Sequence, residues 1–197
     1  MLALGIMMAS MFVMFPRFQA VHAAATGNWP TYLENIKRSG FNSAETIINV
    51  TSAPKLKMEW KYQAGGYINV NFISAQPVEA NGMIYWGSWD GIEHATNTNG
   101  TQVWKASLGY TFSSKCNNLV GIAGTATIAS VSIGGKSTPV DFVGGGDASF
   151  YALNANTGAI IWKTSLGTSP AHFIWSSPAF YQGSIYIVVN VLRCEQV

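Results

Sequence analysis

The sequence has few charged side chains and no concentration of one sign. Charged residues make up 10% of its 197 residues, and the formal net charge is +2. Its Lys and Arg residues are scattered, whereas a protein that binds a phosphate backbone needs them gathered into a patch or stripe. We therefore expect no nucleic acid partner. Because 48% of the residues are hydrophobic, the chain has enough apolar material for a core, and the composition excludes a disordered protein.

Cysteine is nearly absent, which limits the covalent and metal chemistry that the chain can support. The two cysteines, Cys116 and Cys194, could form a disulfide in an oxidising compartment or remain free thiols. We predict the disulfide. Two cysteines this far apart cannot hold a metal without other ligands. The chain also lacks an adjacent cysteine pair and the Cys-x-x-Cys-His pattern of haem attachment.

No Lys or Arg precedes the apolar run at the N-terminus, which extends from Leu2 to Phe15. This run is shorter than the roughly 20 residues that a transmembrane helix needs. The small residues Ala23 to Ala25 suit a signal peptidase. We predict a signal peptide over residues 1–25 and export to the periplasm or the outside of the cell; a membrane anchor is the alternative. An N-terminal segment over residues 26–57 follows the signal peptide.

What the sequence does have is an internal repeat. The Trp-Lys segments at Trp104 and Trp162 match over nine residues at a separation of 58. The turns before them, at Asp90 and Asp147, also match. A second comparison aligns three features of residues 72–85 with residues 173–186, each 101 positions later: Phe-Ile, a proline and Gly-x-Ile-Tyr. Two units therefore span 101 residues, and a unit of about 50 residues is typical of a four-stranded propeller blade.

The repeat predicts an all-β fold, an incomplete β-propeller of about two and a half four-stranded antiparallel blades. In each unit a first strand ends near Pro77 or Pro178, a turn follows, and the second strand begins at Met83 or Ser184. We expect Ser132 to Thr138 to be a polar insertion between the first two strands of the middle unit. The propeller domain would occupy residues 58–197, with blades at about 70–120 and 121–171 and a truncated third at 172–197.

Seven residues are predicted to serve this repeat structurally. Each Trp fills the space between neighbouring sheets, each Asp caps a turn, and each Gly follows the third strand. They are Trp60, Trp104, Trp162, Asp90, Asp147, Gly100 and Gly158. Trp60 lies in a fourth-strand pattern with no first three strands before it, so we predict an N-terminal closing strand around it. The ring would need missing blades or a partner chain to close.

These residues resemble the repeats of the pyrroloquinoline-quinone (PQQ) dehydrogenase-like propellers. The resemblance is carried by Asp147, the Tyr-Ala-Leu-Asn segment 151–154, Gly158 and Trp162. Ser88-Trp89-Asp90-Gly91 and the segment after Trp29 are similar to secreted polyvinyl-alcohol-dehydrogenase-like members. The copy around Glu93-His94 fits less well, since an aromatic residue is usual there.

The resemblance implies a propeller whose funnel can hold PQQ and a calcium ion, with an Asp as catalytic base. No residue of this sequence can be assigned to the calcium site, and catalytic and cofactor-binding residues remain unknown. PQQ and calcium are therefore expected only for a complete homologue, and we predict no metal ligand in this chain. The repeat residues serve turns and packing, so they do not establish an enzyme.

Several residues invite a chemical role that a structural role explains as well. His94 and His172 lie in or beside repeat strands, where a structural histidine is the commoner case. Trp175 differs from its repeat counterpart Ser74; its ring could stack on a flat cofactor or a sugar, or could pack in the core. Trp86 and Trp89 could form a binding rim. The three glycines at 144–146 lack the helix that a phosphate-binding loop requires.

Three functions remain open at this point. The chain could be part of an exported quinoprotein-type alcohol or polyvinyl-alcohol dehydrogenase, inactive as given. It could be a non-catalytic propeller that binds a protein or a glycan. It could also be a truncated product without independent activity.

Overall fold

The described part of the chain is built from short antiparallel strands. The computed structural model describes residues 27–64, 72–113 and 118–191. Within these residues the one helical element is a single 3₁₀ turn, Ala53–Lys55. None of them forms a helix long and apolar enough to cross a membrane. The predicted all-β fold class is confirmed.

Two sheets have four strands each, and we call them the first and second blades. In both, neighbouring strands are consecutive in the chain, so each is an antiparallel meander. The first blade contains β1 (Val78–Ala80), β2 (Met83–Gly87), β3 (Ile92–Asn97) and β4 (Gln102–Ser107). Between the blades lies a two-stranded pair, β5 (Thr111–Ser113) and β6 (Asn118–Val120). The second blade contains β7 (Thr127–Ile133), β8 (Lys136–Gly144), β9 (Ser149–Asn154) and β10 (Ile160–Ser165).

A third unit follows and has only short strands. The hairpin of β12 (Ala179–Tyr181) and β13 (Ser184–Tyr186) corresponds to the first two strands of a blade. A second ladder joins β11 (His172–Phe173) to β14 (Asn190–Val191). The predicted count of two blades and part of a third is therefore observed. The domain limits predicted from the sequence remain predictions, and Cys116, Cys194 and residues 1–25 lie outside the described residues.

Strand register shows that the two blades are copies of one unit. In the first blade Ala95 pairs with Tyr85 on one side and Trp104 on the other. In the second, Ala152 pairs with Phe142 and Trp162. Each third-to-fourth strand ladder has the same register shift, and the one-residue adjustment that the sequence alignment needs lies in the turn that follows, which spans residues 97–101 in the first blade and 154–159 in the second.

Each blade is joined to the one before it by an indole ring placed on a glycine. The Trp104 ring lies over Gly158, where a Cβ would come within 2.7 Å of the ring, and Trp104 Nε1 donates to the Ala155 carbonyl at 2.8 Å. Trp60 repeats this on the first blade: its ring lies over Gly100, and its Nε1 donates to the Thr98 carbonyl at 2.8 Å. Trp60 thus holds the place of a fourth-strand Trp, although residues 56–64 form no ladder with the described strands.

The predicted structural residues Trp162, Asp90 and Asp147 also have defined surroundings. The Trp162 ring is 38% exposed and lies near Phe142 and Phe150, with centroids 6.1 and 5.8 Å away. Asp90 Oδ1 accepts from the backbone N–H of Ile92 at 3.3 Å, and Asp147 Oδ1 accepts from that of Ser149 at 3.0 Å. Both aspartates therefore stabilise the turn that leads into a third strand, as Asx turns do.

Two details of the predicted strands are wrong. The first strands begin after Pro77 and Pro178 instead of ending there, since they start at Val78 and Ala179. Proline has no N–H to give to a ladder, so it is tolerated at the start of a strand and not within it.

The second error concerns residues 132–138, which are an insertion relative to the first blade but lie largely within the first two strands instead of between them. β7 and β8 continue as a hairpin to Ile133 and Lys136. The two residues between them, Gly134 and Gly135, have φ of 57° and 77°. Positive φ at both central residues is the requirement of a tight type I′ turn, so the polar Ser and Thr side chains belong to a projecting ribbon.

Two apolar clusters fill the spaces between the units. The first lies between the blades and includes Tyr85, Trp104, Ile122, Val143 and Leu153. The second lies between the second blade and the third unit and includes Phe142, Phe150 and Ile174. In each, an isoleucine sits against a glycine that ends a second strand: a Cβ at Gly87 would collide with Ile122, and one at Gly144 with Ile174.

The Trp–Gly contact predicts a specific cost for adding one methyl group. Gly158 (φ 72°) and Gly82 (φ 76°) have nearly the same backbone conformation, but only Gly158 lies under an indole, while nothing lies within 4 Å of a Cβ at Gly82. Gly158→Ala should lower the free energy of unfolding by about 1–3 kcal/mol more than Gly82→Ala, because only the first overpacks an interface. Urea unfolding of the two variants measures the difference. Equal losses of stability in the two variants would show that the packing of the blades does not depend on this contact.

Candidate functional site

Three equivalent segments, one at the entrance to each unit's first strand, meet on one side of the sheets. They are residues 74–77, 123–126 and 175–178. The backbone N–H of Gln76 donates to Thr125 Oγ1 at 2.8 Å, and that of Thr125 donates to Ser177 Oγ at 3.0 Å. The same hydrogen bond thus passes from the first blade to the second and from the second to the third unit.

The N-terminal segment crosses these first strands and fastens them together. Trp29 forms a two-way backbone bridge with Glu79 of β1 at 2.9 Å, and the Pro30 carbonyl accepts from Ile128 of β7 at 2.8 Å. Thr31 Oγ1 lies 2.8 Å from Thr127 Oγ1. The segment therefore contacts both blades before it reaches the third unit.

Arg38 makes the contact with the third unit. Its guanidinium donates to the Pro178 carbonyl at 3.0 Å, to the Tyr32 carbonyl at 2.6 Å and to Thr31 Oγ1 at 3.0 Å. Among the described residues these bonds use three of the five N–H donors of the guanidinium. The remaining donors can serve a ligand.

A cavity of about 440 Å³ opens where these segments meet. Most of its lining is hydroxyl and aromatic, with Arg38 as the single permanently charged group. The lining residues are Tyr32, Arg38, Ser74, Ala123, Thr125, Trp175, Ser176 and Ser177. A space with one guanidinium and no carboxylate favours an anionic ligand.

Four aromatic rings form a row that reaches the cavity at Trp175. Phe72, Trp89, Trp175 and Phe173 meet edge to face in that order, with centroids 5.6, 5.5 and 5.7 Å apart. Trp89 is fixed in this aromatic row because its Nε1 donates to Ser74 Oγ at 2.8 Å. The Trp175 ring is 44% exposed. The sequence left two roles open for Trp175, stacking on a ligand or packing in the core. This exposure fits a ring that can stack on a ligand better than a core residue.

The other residues that the sequence singled out do not join this cavity. Trp86 is buried and stacks on His94, with centroids 3.9 Å apart, so it is not available for the predicted rim. Trp89 contacts Trp175 but does not line the cavity. Burial lowers the pKa of His94 to about 4, which keeps its ring neutral. His172 Nδ1 accepts from the backbone N–H of Thr168 at 3.2 Å, a local loop contact. Gly144 ends β8, as expected for a strand end and turn.

Asp147 has partners of its own outside the cavity. Its Oδ2 accepts from Tyr151 Oη and Lys163 Nζ, both at 2.7 Å. Burial raises the pKa of Asp147, but the hydrogen bonds from Lys163, Tyr151 and Ser149 outweigh burial and hold that pKa below its ordinary value. Over the ranges that the structure describes, no group of three or more His, Cys, Asp or Glu side chains is placed to hold a metal ion.

Sequence reasoning missed Arg38 and the row partner Phe173. Arg38 belongs to no motif and reaches the third unit across 140 positions of the chain, and Phe173 was used only as part of the repeated Phe-Ile pair. The departure of Trp175 from Ser74 was the available signal, because a ring that replaces a small residue at an otherwise repeated position needs a reason outside the repeat.

No family model matches the sequence. A polyvinylalcohol dehydrogenase of Sphingopyxis sp. (strain 113P3) is 26% identical over 164 residues, which are 82% of this chain and 22% of that protein. The structure is similar to the quinohemoprotein alcohol dehydrogenase from Comamonas testosteroni, with a TM-score of 0.63 and 21% identity over 89% of this chain and 26% of that one. A europium-containing methanol dehydrogenase gives a TM-score of 0.60 and 16% identity over 86% of this chain and 28% of that one.

The blades have the fold of these dehydrogenase propellers. The predicted incomplete β-propeller is confirmed by this likeness, which at such identity shows the fold alone. The chain spans about a quarter of the length of the proteins it matches.

The Arg38 contacts predict that this side chain closes one wall of the cavity. Arg38→Ala should lower the free energy of unfolding by about 1.5–3 kcal/mol, because charged hydrogen bonds between the N-terminal segment and the third unit are lost. The exposed neighbour Lys37 is the matched control, and Lys37→Ala should change stability by less than about 0.5 kcal/mol. Urea unfolding measures both. An equal effect of the two substitutions would contradict the assignment.

Proposed function

We propose that the chain belongs to an exported quinoprotein-type dehydrogenase-like propeller and that its cavity binds a flat, anionic ligand. The observation that carries this proposal is that the half-exposed Trp175 ring and the Arg38 guanidinium line the same cavity. An exposed indole offers a stacking surface, and a nearby guanidinium pairs with carboxylates. The similarity to a polyvinylalcohol dehydrogenase over 82% of the chain supports the class of protein.

PQQ itself is a planar quinone with carboxylate groups, and the cavity can be tested against it. Trp175 fits the planar ring, and the free donors of Arg38 fit a carboxylate. Calcium takes six to eight oxygen ligands, chiefly carboxylates and carbonyls. The cavity lining contains no carboxylate, so the residues described for this chain fit the organic part of such a cofactor and not the ion. The proposal for this part of the propeller is therefore ligand binding, with no redox step assigned to it.

Export is the second part of the proposal. It is supported by the apolar N-terminal run followed by Ala23 to Ala25. The signal peptide itself lies outside the described residues.

A specific observation also favours a second candidate, binding of a glycan without catalysis. The aromatic row presents the exposed rings of Phe72 and Trp175, which are 64% and 44% accessible. Contiguous exposed rings beside polar hydroxyls form a surface on which a sugar can stack. This candidate needs neither a quinone nor a metal.

Titration of the chain with PQQ, followed by tryptophan fluorescence, separates these candidates. We expect saturable quenching, and we expect Trp175→Ala to weaken binding about tenfold, the equivalent of one aromatic stacking contact. Tyr181→Ala is the control, since Tyr181 is an exposed aromatic residue of the same unit outside the cavity. A parallel titration with neutral oligosaccharides reports on the glycan candidate.

The outcomes of this titration are distinct. Quenching by oligosaccharides alone would replace the quinone proposal with glycan binding. Absence of binding to either ligand, or identical affinities of Trp175→Ala and the wild type, would remove the cavity as the site.

DNA sequencing around the gene tests the proposal that the chain belongs to a dehydrogenase-like propeller. Further repeats in the same reading frame, with a Trp in each fourth strand and a Gly after each third, are expected for a dehydrogenase-like propeller. Repeats that continue only in another frame would instead favour a truncated product without independent activity.

A further inference from the structure

The described part of the interface between the first and second blades contains two acidic side chains and no counter-charge for them. Glu93 of β3 and Asp141 of β8 are both 0% exposed. Among the residues that the structure describes, none of their four carboxylate oxygens has a hydrogen-bond partner. The Tyr85 hydroxyl of the same interface is also buried without a partner. A buried polar group in this state costs free energy unless it is neutral or bound to something.

Both acids depart from the repeat, and they do so at one interface. Glu93 occupies the position of Phe150 in the second blade, as the match of the Asp90 and Asp147 turns shows. Asp141 occupies the position of Ile84 in the first blade and Ile185 in the third unit. At the next interface Phe150 packs in an apolar cluster. A blade therefore does not need an acid at either position.

Register places both side chains on the shared interface. Glu93 is two residues from Ala95, so both side chains point to the face that carries Tyr85 and Trp104. A Cβ at Gly87 would lie 2.8 Å from Glu93 Oε2 and would collide with Ile122, a residue that precedes the second blade.

Asp141 approaches from the other side. It is two residues from Val143 on β8, and Val143 belongs to the cluster between the blades together with Tyr85 and Ile122. We call Glu93 and Asp141 the acid pair.

The surroundings supply no cation to the acid pair. On the face of the first blade the other ionisable group is Tyr85. From the second blade they are Tyr151 and Lys163, and Lys163 is already bonded to Asp147 at 2.7 Å. Tyr151 Oη also donates to Asp147, so these three groups neutralise one another at the exposed edge. Across the described part of this interface, nothing remains to balance two carboxylates.

Two ionised carboxylates cannot persist in such a space. Burial raises the pKa of Glu93, and the Asp141 charge raises it further. Burial also raises the pKa of Asp141, to about 8. Neighbouring acids in this situation titrate as a unit and keep at least one proton between them.

We propose that Glu93 and Asp141 hold protons between the first two blades at neutral pH, and that removing these protons in mild alkali loosens the interface. The proposal is independent of the ligand proposed for the cavity. It has a consequence for that cavity, however, because Ile122 lies against Gly87 and the next residue, Ala123, forms part of the cavity wall.

The pH dependence has a definite sign. In the unfolded chain these acids lose their protons near pH 4, their ordinary value. In the folded chain burial raises the pKa of both acids, that of Asp141 to about 8. The folded state thus binds more protons between these limits, so the stability from the acid pair is complete below about pH 4 and is lost as the pH rises through about 8.

Thermal unfolding from pH 5 to pH 9 tests the proposal in the chain and in its amide variants. The midpoint of the wild type should fall by at least about 5 °C over this range. Glu93→Gln with Asp141→Asn keeps the shape of both side chains but removes their titration, so the double variant should lose most of this slope. Glu59→Gln, a change of one exposed acid, is the matched control and should retain it.

Two further measurements keep the proposal testable even if the double variant folds poorly. Infrared spectra of the wild type should show a protonated carboxyl band at pH 6 that disappears by pH 9. Absence of this band at pH 6, or an unchanged slope in a folded double variant, would overturn the proposal. A calcium-dependent rise in the midpoint that the double variant lacks would also overturn it, since the pair would then hold a metal ion in place of protons.

Discussion

The contact of one indole ring with one glycine is the constraint on which the arrangement of the sheets depends. Trp104 reaches from the first blade to a glycine and a carbonyl of the second, and Trp60 makes the same pair of contacts with the first. The contact combines shape and direction, because the ring requires a residue without a side chain beneath it and the indole N–H requires an acceptor at a fixed angle. Packing and polarity therefore specify the same geometry between successive sheets, as expected where each repeat rests on its neighbours.

The cavity is a product of this stacking. The indole contacts lie at the fourth-strand side of each blade, while the hydrogen bonds between Gln76, Thr125 and Ser177 lie at the first-strand side. Holding the sheets at both ends brings three loop segments from distant parts of the chain within reach of one ligand. Arg38 and Trp175 meet there although neither belongs to the repeat, so a regular scaffold positions irregular residues, which is how repeat architectures commonly carry function.

The sequence predicted the features that repeat and missed those that occur once. The strand order, the two turns at Asp90 and Asp147 and the positions of Trp60 and Trp104 followed from self-comparison, since a motif seen twice reveals its own spacing. The limits of the first strands were misplaced because a proline can stand at either end of a strand, and the sequence does not show which. Pro77 precedes the strand, where its lack of an N–H removes no ladder hydrogen bond. The pairing of residues 130–133 with 136–139 was not predicted, because serine and threonine are common both in loops and on exposed strands.

The cavity could be anticipated only at Trp175, since Arg38 acts through contacts that no local pattern encodes. Of the acid pair, the sequence analysis noted only Glu93, as a departure from the repeat, and did not single out Asp141. A single unusual residue can arise by chance, whereas two that lie at one interface imply a shared cause. Only the register of β3 and β8 places Glu93 and Asp141 at the same interface.

Departures from the repeat therefore separate what a blade requires from what this chain adds to it. A blade needs a turn, a glycine and an indole at fixed positions, and substitutions at these positions destabilise the packing of the blades. Positions 93, 141 and 175 are free of that requirement, since Phe150, Ile84 and Ser74 show that apolar or small residues fill them elsewhere in the same chain. A buried acid or an exposed indole costs free energy relative to those alternatives. Residues that carry such a cost at positions where the scaffold does not need them are where the individual chemistry of this propeller is to be sought.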